Sequence, residues 1–260
     1  MTIQLLLANA IGAAMDGSVL ALFLISAFFG GLTTGLAGFA AGLVYSGVWL
    51  HILTPTQTAV LIASYGIVNQ SYSVWKLRNA FSWRRVLLFI AGSLVGVPIG
   101  VALLTSVSPA AVRIGVGVLL IAYASYNLLK PKIKPFDSGP VTDTGVGVLN
   151  GMLGGLTGLG GVVITIWTQM RDWPKDVQRT VFQPVIMATM SITAVTYAIN
   201  GAFTLETIKL FFIGLPALAG GLWLGIKLYG RLDDAAFRKV ILWLLLVSGV
   251  TLLIPLLLPQ

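Results

Sequence analysis

The sequence GLTTGLAGFAAG, residues 31–42, returns in altered form as GMLGGLTGLGGV at residues 151–162. The positions that are identical in both copies, at an offset of 120 residues, are Gly31, Gly35, Leu36 and Gly38. Each copy lies inside a long apolar segment, where so many glycines disfavour a continuous helix. Paired helix interruptions at corresponding places in two halves of a membrane protein are typical of transporter binding sites. This pair is therefore the feature around which we interpret the chain.

The composition is that of a protein that crosses a membrane several times. Hydrophobic residues make up 57% of the chain and charged residues 9%, and apolar runs of membrane-spanning length recur along it. The net charge of +8 comes from basic residues at the ends of these runs, which reflects membrane orientation and not nucleic-acid binding. The absence of cysteine excludes disulfides, thiolate chemistry and cysteine metal sites. We predict one integral membrane domain in a lipid bilayer.

The first apolar segment, residues 19–50, is too long to be a single spanning helix. As one helix it would measure about 48 Å, against a hydrocarbon core of about 30 Å. We therefore predict two half-length helices that meet at the Gly/Thr-rich tip. Ser108 and Pro109 have the residue types of an N-cap and a first-turn proline. The segments that follow in the first half are 57–75, 86–104 and 110–129.

The second half repeats this order of segments. Residues 145–170 carry the second Gly-rich copy, and the segments after it are 178–200, 208–228 and a last helix that ends near residue 258. The predicted organisation is two membrane repeats that together form one transport domain. Their boundaries are 18–130 for the first repeat, 131–142 for the linker and 143–258 for the second repeat.

The positions of the basic residues distinguish the two halves. In the first half they cluster after the second segment, around residues 76–85. The corresponding turn of the second half holds only Lys209, and the basic residues lie in its two other turns, around 171–179 and 227–239. Because basic turns face the cytoplasm, this exchange predicts that the two halves are inverted relative to each other. The predicted fold is an all-α polytopic membrane protein of two inverted repeats, each with a Gly-broken half-helix hairpin plus three transmembrane helices. Eight spanning helices in two parallel repeats are the alternative.

Side chains that carry chemistry are scarce in the predicted membrane segments. All eight acidic residues fall at segment ends or in linkers, so the sequence predicts no carboxylate proton relay at mid-membrane depth. One histidine and no cysteine leave no ligand set for a metal. No combination of acid, base and nucleophile lies within a segment. We therefore predict a protein that is not an enzyme and has no cofactor and no metal.

The two Gly-rich copies offer backbone groups to a ligand. Interrupted helices leave N–H groups unpaired, and the positive dipole end of a half-helix suits an anion. Glycine lets a ligand approach the main chain, threonine adds hydroxyl donors, and the two matched second helices add amide side chains. The predicted substrate-binding residues are Thr33, Thr34, Gly35, Gly38, Asn69, Gln70, Gly155, Thr157, Gly158, Gly160, Gly161 and Gln183.

Each of these assignments has a structural alternative. Small residues also let helices pack closely, and hydrogen bonding between helices accounts for the amides equally well. For the glycines of the later helices we prefer the packing explanation; these are Gly92, Gly96, Gly214 and Gly221.

The chain resembles the sulfite exporter TauE/SafE family, also called the toluene-sulfonate uptake permeases, over residues 18–258. The resemblance rests on the motifs at residues 35–39 and 155–161, each followed by a helix that begins at a proline, Pro55 or Pro174. It implies transport of small sulfur-containing anions, such as sulfite or organosulfonates like sulfoacetate. It also implies a multi-pass protein of the bacterial inner membrane.

The sequence thus predicts a secondary transporter of a small sulfur-containing anion that works by alternating access between its halves. A monoanion that leaves a cell with a negative interior gains about 2.3 kcal/mol per 100 mV. With no evident coupling carboxylate, we expect export. The alternatives are a passive anion channel and an uptake permease coupled to protons. The partners are the small anion and the bilayer, and the sequence leaves the oligomeric state open.

Overall fold

The computed structural model describes residues 16–38, 40–78, 81–129, 139–171, 173–228 and 234–257. Within these ranges all regular secondary structure is helical. The helices are α1 (Gly17–Ala37), α2 (Ala41–Ile52), α3 (Pro55–Leu77), α4 (Trp83–Ser106), α5 (Pro109–Leu129), α6 (Pro140–Thr157), α7 (Val162–Met170), α8 (Lys175–Ile199), α9 (Leu205–Leu228) and α10 (Asp234–Leu257).

Five of these helices are long and apolar enough to cross a membrane: α1, α4, α5, α8 and α9. Many of their apolar side chains point away from the protein interior; Leu94 and Trp223, for example, are 56% and 63% exposed. Outward-facing apolar surface on long helices suits contact with lipid. The chain is therefore a multi-pass membrane protein, which confirms the all-α polytopic part of the predicted fold.

Both Gly-rich copies interrupt a helix, as predicted, but the helices they separate are unequal. The first break follows Gly38 and the second follows Gly158, and each glycine has left-handed backbone, with φ of 81° and 77°. The prediction of half-length helices is wrong for the first member of each pair. The helix α1 has 21 residues, or about 32 Å, and α6 has 18, whereas α2 has 12 and α7 has 9. The helices α1 and α6 stay continuous at most of their glycines because neighbouring helices pack on these positions.

Each short helix folds back along the long helix before it. In the first pair, Trp49 Nε1 donates to Ser26 Oγ at 2.6 Å and the Trp49 ring stacks on Phe23 with centroids 4.9 Å apart. Gly30 in turn lies against the ring of Tyr45. Since positions further along α2 pair with earlier positions of α1, the two helices form an antiparallel hairpin.

The second hairpin has the same antiparallel form, and an ion pair joins its two helices at the end away from the break. Asn150 Nδ2 donates to Gly160 O at 3.0 Å near the break. At the open end, Asp143 accepts from Trp167 Nε1 at 3.1 Å and forms an ion pair with Arg171 at 3.4 Å. Asp143 lies in the first turn of α6, at a segment end as predicted, yet it is buried by these contacts.

Glycines of α4 and α9 let these helices pack on the long helices of the hairpins. A Cβ on Gly92 would overlap the Thr144 carbonyl, and one on Gly96 would overlap the Val148 carbonyl further along both helices, so α4 and α6 run parallel. Contacts of α9 with α1 have the same parallel order. The packing explanation is thereby confirmed for the four glycines to which we assigned it, namely Gly92, Gly96, Gly214 and Gly221.

The helix starts agree with the capping residues in the sequence. Thr54 and Gln57 form a reciprocal capping box, with Pro55 in the first turn of α3. The Ala111 N–H donates to Ser108 Oγ at 3.3 Å, which caps α5. The helix α6 begins at Pro140, three residues before the predicted start of the second repeat at residue 143. Most of the predicted linker, residues 131–138, lies outside the described residues.

Candidate functional site

Both helix breaks border one cavity in the interior of the bundle. Residues of the first break (Thr34 and residues 40–43), of the second break (residues 158, 159, 161 and 162), of α3 and of α8 form its walls, together with Tyr45 and Tyr123. The centre of a water-sized sphere can occupy about 60 Å³ of it. A single water molecule needs about 10–15 Å³ by this measure, so the cavity has room for a small polyatomic ion.

The structure brings five of the predicted site residues together at this cavity, from three different parts of the chain. Asn69 and Gln70 are on α3, Thr34 is on α1, and Gly158 and Gly161 belong to the second break. These positions are close in space because each hairpin inserts its broken tip between the other helices. Gln183 does not line the cavity but lies against Gly38 beside it.

The other predicted site residues serve the structure of the hairpins. Thr33 Oγ1 donates to Gly30 O at 2.8 Å within α1, and Thr157 Oγ1 donates to Leu153 O at 2.7 Å within α6. Gly35 packs on the backbone of α9, Gly155 packs on α4, and Gly160 packs against α8; none of the five is a lining residue.

Two helix N-termini face the cavity. The first turn of α2, residues 41–43, and the start of α7 at Gly161 and Val162 are lining residues. The N-cap residues, Ala40 and Gly161, provide no side-chain hydrogen bond. Both helices therefore direct N–H groups and the positive end of their dipole toward the same space. This arrangement suits an anion.

At the other end of α2, Arg113 stabilises the opposite pole of the dipole. Its Nε donates to the Leu50 carbonyl at 3.0 Å. A cation at a helix C-terminus interacts favourably with the unpaired carbonyls there. The short helix is thus held with its positive end at the cavity and its negative end against a guanidinium.

Amide and phenol groups add polar atoms to the cavity wall. Asn69 Nδ2 donates to Tyr45 Oη at 3.1 Å, and Gln70 Nε2 donates to the Gly38 carbonyl at 3.3 Å. The remaining oxygens of both amides, Asn69 Oδ1 and Gln70 Oε1, are buried without a hydrogen-bond partner. Buried polar atoms without a partner cost free energy. Because amide oxygens only accept hydrogen bonds, these two favour an occupant that donates one, such as a water molecule or a protonated oxyanion.

Three residues at or beside the cavity are not among the predicted site residues, namely Tyr45, Tyr123 and Asn150. The two tyrosines line the cavity, and nothing in the sequence distinguishes them from tyrosines that only pack. Asn150 is fully buried in α6, where its Oδ1 accepts from the Ile164 N–H at 3.3 Å and its Nδ2 holds the Gly160 carbonyl. An amide in the middle of an apolar helix is a polar group that lipid does not tolerate, and that would have identified it.

The charged side chains of Asp143, Arg171 and Arg85 do not line the cavity. The Asp143–Arg171 ion pair joins the two helices of the second hairpin at the end away from the break. Near this pair, the guanidinium groups of Arg171 and Arg85 lie 5.2 Å and 4.8 Å from the centre of the Trp173 ring. Within the described part of the chain, no group of three or more His, Asp or Glu residues could hold a metal ion.

A helical bundle with five helices of spanning length and two broken hairpins that meet at one cavity belongs to the class of multi-pass membrane proteins. The family described as sulfite exporter TauE/SafE matches residues 22–252, and the chain belongs to that family. This is a family of membrane transporters, so the protein is a transporter and not an enzyme. No curated protein and no solved structure matches the chain.

Proposed function

We propose that this protein exports small sulfur-containing anions, such as sulfite or organosulfonates like sulfoacetate, across the bacterial inner membrane. The substrate binds in the cavity between the two helix breaks, and the two halves of the protein move around it by alternating access. Membership of the sulfite exporter family supports the substrate class.

The observation that carries this proposal is the pair of helix N-termini at one cavity. Each helix end is equivalent to about half a positive charge, so two of them together match one negative charge. The N–H groups of Ala41 and Gly42 in α2 and of Val163 in α7 would bind the sulfonyl oxygens. The Tyr45 hydroxyl and the amide N–H groups of Asn69 and Gln70 are additional donors.

The proposed topology is that of two inverted repeats. The helices α4 and α6 run parallel, as do α1 and α9, whereas Gly117 and Gly249 pack α5 and α10 in antiparallel order. With short turns between α3 and α4, α4 and α5, and α8 and α9, these contacts support a topology in which equivalent helices of the two halves run in opposite directions. The basic residues Arg78, Arg85 and Arg171 then lie at one end of the bundle, which we assign to the cytoplasm.

We assign the direction of transport to export on electrical grounds. An exported monoanion gains about 2.3 kcal/mol per 100 mV when the cytoplasm is negative, and the described cavity lining contains no carboxylate that could couple a proton. A passive anion channel could use the same cavity, and saturation at high substrate concentration separates a carrier from it. Uptake against a concentration gradient that depends on a proton gradient would instead establish a proton-coupled permease.

Binding of sulfite, sulfoacetate and sulfate to the purified protein tests the site. Tyr45→Phe removes a hydroxyl from the cavity wall, and we expect it to weaken binding of the preferred anion several-fold, since one hydrogen bond contributes about 0.5–1.5 kcal/mol. Tyr65→Phe is the matched control, because Tyr65 is equally buried but donates to the Leu210 and Phe211 carbonyls away from the cavity. Equal losses in the two variants, or no selective binding of any sulfur anion, would refute this assignment.

A further inference from the structure

The two helix breaks are similar in backbone but differ in the side chains beside them. A Cβ on Gly38 would lie 2.9 Å from Nε2 of Gln183 and 3.9 Å from Nε of Arg179, both on α8. A Cβ on Gly158 would lie 2.7 Å from the carbonyl oxygen of Ala59 and 2.9 Å from Cβ of Ile62, both on α3. An amide and a guanidinium thus adjoin one break, and backbone and an aliphatic side chain adjoin the other.

These neighbours occupy corresponding positions of the two halves. At an offset of 121 residues, Arg179 corresponds to Thr58 and Gln183 corresponds to Ile62. Each break is therefore contacted by the second turn of the equivalent helix from the opposite half. The difference between the breaks lies in the residues themselves and not in a different arrangement of helices.

The two breaks also face opposite ends of the bundle. Arg179 is in the second turn of α8, whose start lies at the basic end, because Trp173 just before it contacts Arg85. The start of α3 lies at the other end, because Gln57 Nε2 donates to Glu206 of α9 at 3.0 Å and α9 begins where α8 ends. The guanidinium is therefore at the end that we assign to the cytoplasm.

The group at Gly38 is continuous with the cavity. The lining residues Thr34 and Ala40 lie on either side of Gly38 in the chain, and the lining residue Gln70 donates to its carbonyl. Gln183 is 2% exposed, and its Oε1 has no hydrogen-bond partner. The polar side chains of Arg179, Gln183 and Gln70 therefore form a continuous series from the half-buried Arg179 to the cavity.

We propose that Arg179 is the residue that recruits the anion at the basic end of the protein. Its positive charge attracts a small sulfur monoanion to Gly38. The amide groups of Gln183 and Gln70 then bind the anion on its way to the cavity. Inside a protein such a charge acts over several ångströms with little screening. The opposite end has Thr58 at the corresponding position, so the transporter binds its anion more readily from the cytoplasmic side. This inference rests on the proposed function and assigns a specificity residue to it.

The test is one-sided transport of sulfite in oriented proteoliposomes. We expect Arg179→Gln to raise KM for sulfite presented at the basic end about tenfold, with kcat from that end little changed. KM at the other end should stay unaltered while kcat from that end falls by the same factor, because kcat/KM of an uncoupled carrier is equal in the two directions. Arg179→Lys should keep KM near that of the wild type. The control is Arg84→Gln, which removes an exposed charge at the same end and should change KM less than twofold.

Because the chain has no cysteine, a single introduced cysteine can be modified selectively. Such a variant separates the effect of the positive charge on KM from any effect of the substitution on folding. Arg179→Cys is alkylated with 2-bromoethylamine, which restores a positive charge, or with iodoacetamide, which does not; both form thioethers that sulfite does not cleave. We expect only the charged modification to lower KM at the basic end. Equal effects of the two reagents, or equal changes of KM at both ends, would overturn the proposal. Absence of sulfur-anion transport by the wild type would instead refute the proposed function.

Discussion

At the scale of single residues, two left-handed glycines determine where each hairpin turns. Gly38 and Gly158 donate their N–H groups to the carbonyls of Thr34 and Gly154 at 2.7 and 2.8 Å, so the same cap ends α1 and α6. A residue with a Cβ is strained in this conformation by about 1–2 kcal/mol. Ala40, with φ of 80°, accepts such strain at the first break. Strained backbone of this kind occurs preferentially at functional sites.

We expect Gly158→Ala to lower the free energy of unfolding by more than Gly201→Ala does. Both glycines have positive φ, 77° and 69°, so alanine is strained at each by about 1–2 kcal/mol. At Gly158 the new Cβ would also lie 2.7 Å from the Ala59 carbonyl, whereas nothing lies within 4 Å at Gly201. Thermal unfolding in detergent micelles measures both variants. Equal shifts of Tm would show that close packing at the second break contributes nothing.

At the scale of helices, glycine stripes join the two halves more closely than the turns within each half do. The helix α4 of the first half lies along α6 of the second, and α9 of the second half lies along α1 of the first. Where two backbones approach this closely, a single methyl group forces the helices apart. The hairpins that carry the site are therefore positioned by helices from the opposite half.

Gly96→Ala should destabilise the protein by about 1–3 kcal/mol, because the added Cβ would overlap the Val148 carbonyl of α6. Gly115→Ala is the control at an exposed position of α5 with nothing within 4 Å. There alanine should be neutral or stabilise the helix by up to about 1 kcal/mol. The midpoint of thermal unfolding measures the difference. A Gly96→Ala variant as stable as Gly115→Ala would contradict this account of the α4–α6 contact.

At the scale of the whole molecule, the tips of the two hairpins meet at one cavity. Their short helices direct both N-termini into it, so neither half forms the site alone. The exchange of partner helices between the halves agrees with inverted repeats, in which one hairpin would enter from each side of the membrane. Movement of one half against the other would then change access from either side.

Labelling of introduced cysteines from each side of the membrane tests this topology. Ser82 lies in the turn after α3, and Asn200 lies in the equivalent turn after α8. Inverted repeats place Ser82→Cys and Asn200→Cys on opposite sides, with Ser82→Cys in the cytoplasm. We therefore expect an impermeant maleimide added to intact cells to label only Asn200→Cys. Labelling of both residues from the same side would establish parallel repeats.

Part of the candidate site could be predicted from the pattern of residues alone. The Gly-rich repeats predict both breaks, and Asn69 and Gln70 stand out because amides are rare in apolar helices. Which glycines line the cavity and which pack on a neighbour could not be predicted, because Gly35 and Gly158 differ only in what lies opposite them. Likewise, Tyr45 faces the cavity and Tyr65 does not, although the two side chains are adjacent in the core.

The sequence by itself determined the membrane class, the family, the positions of the two breaks and the capped starts of α3 and α5. These properties follow from local chemistry, namely apolar length, glycine content and capping residues. Only the tertiary structure decided that α1 and α6 remain long helices, that the breaks share one cavity, and that Arg179 lies beside Gly38. The reason is that these features depend on contacts between residues distant in sequence, and the packing of neighbouring helices there outweighs the local preference of glycine.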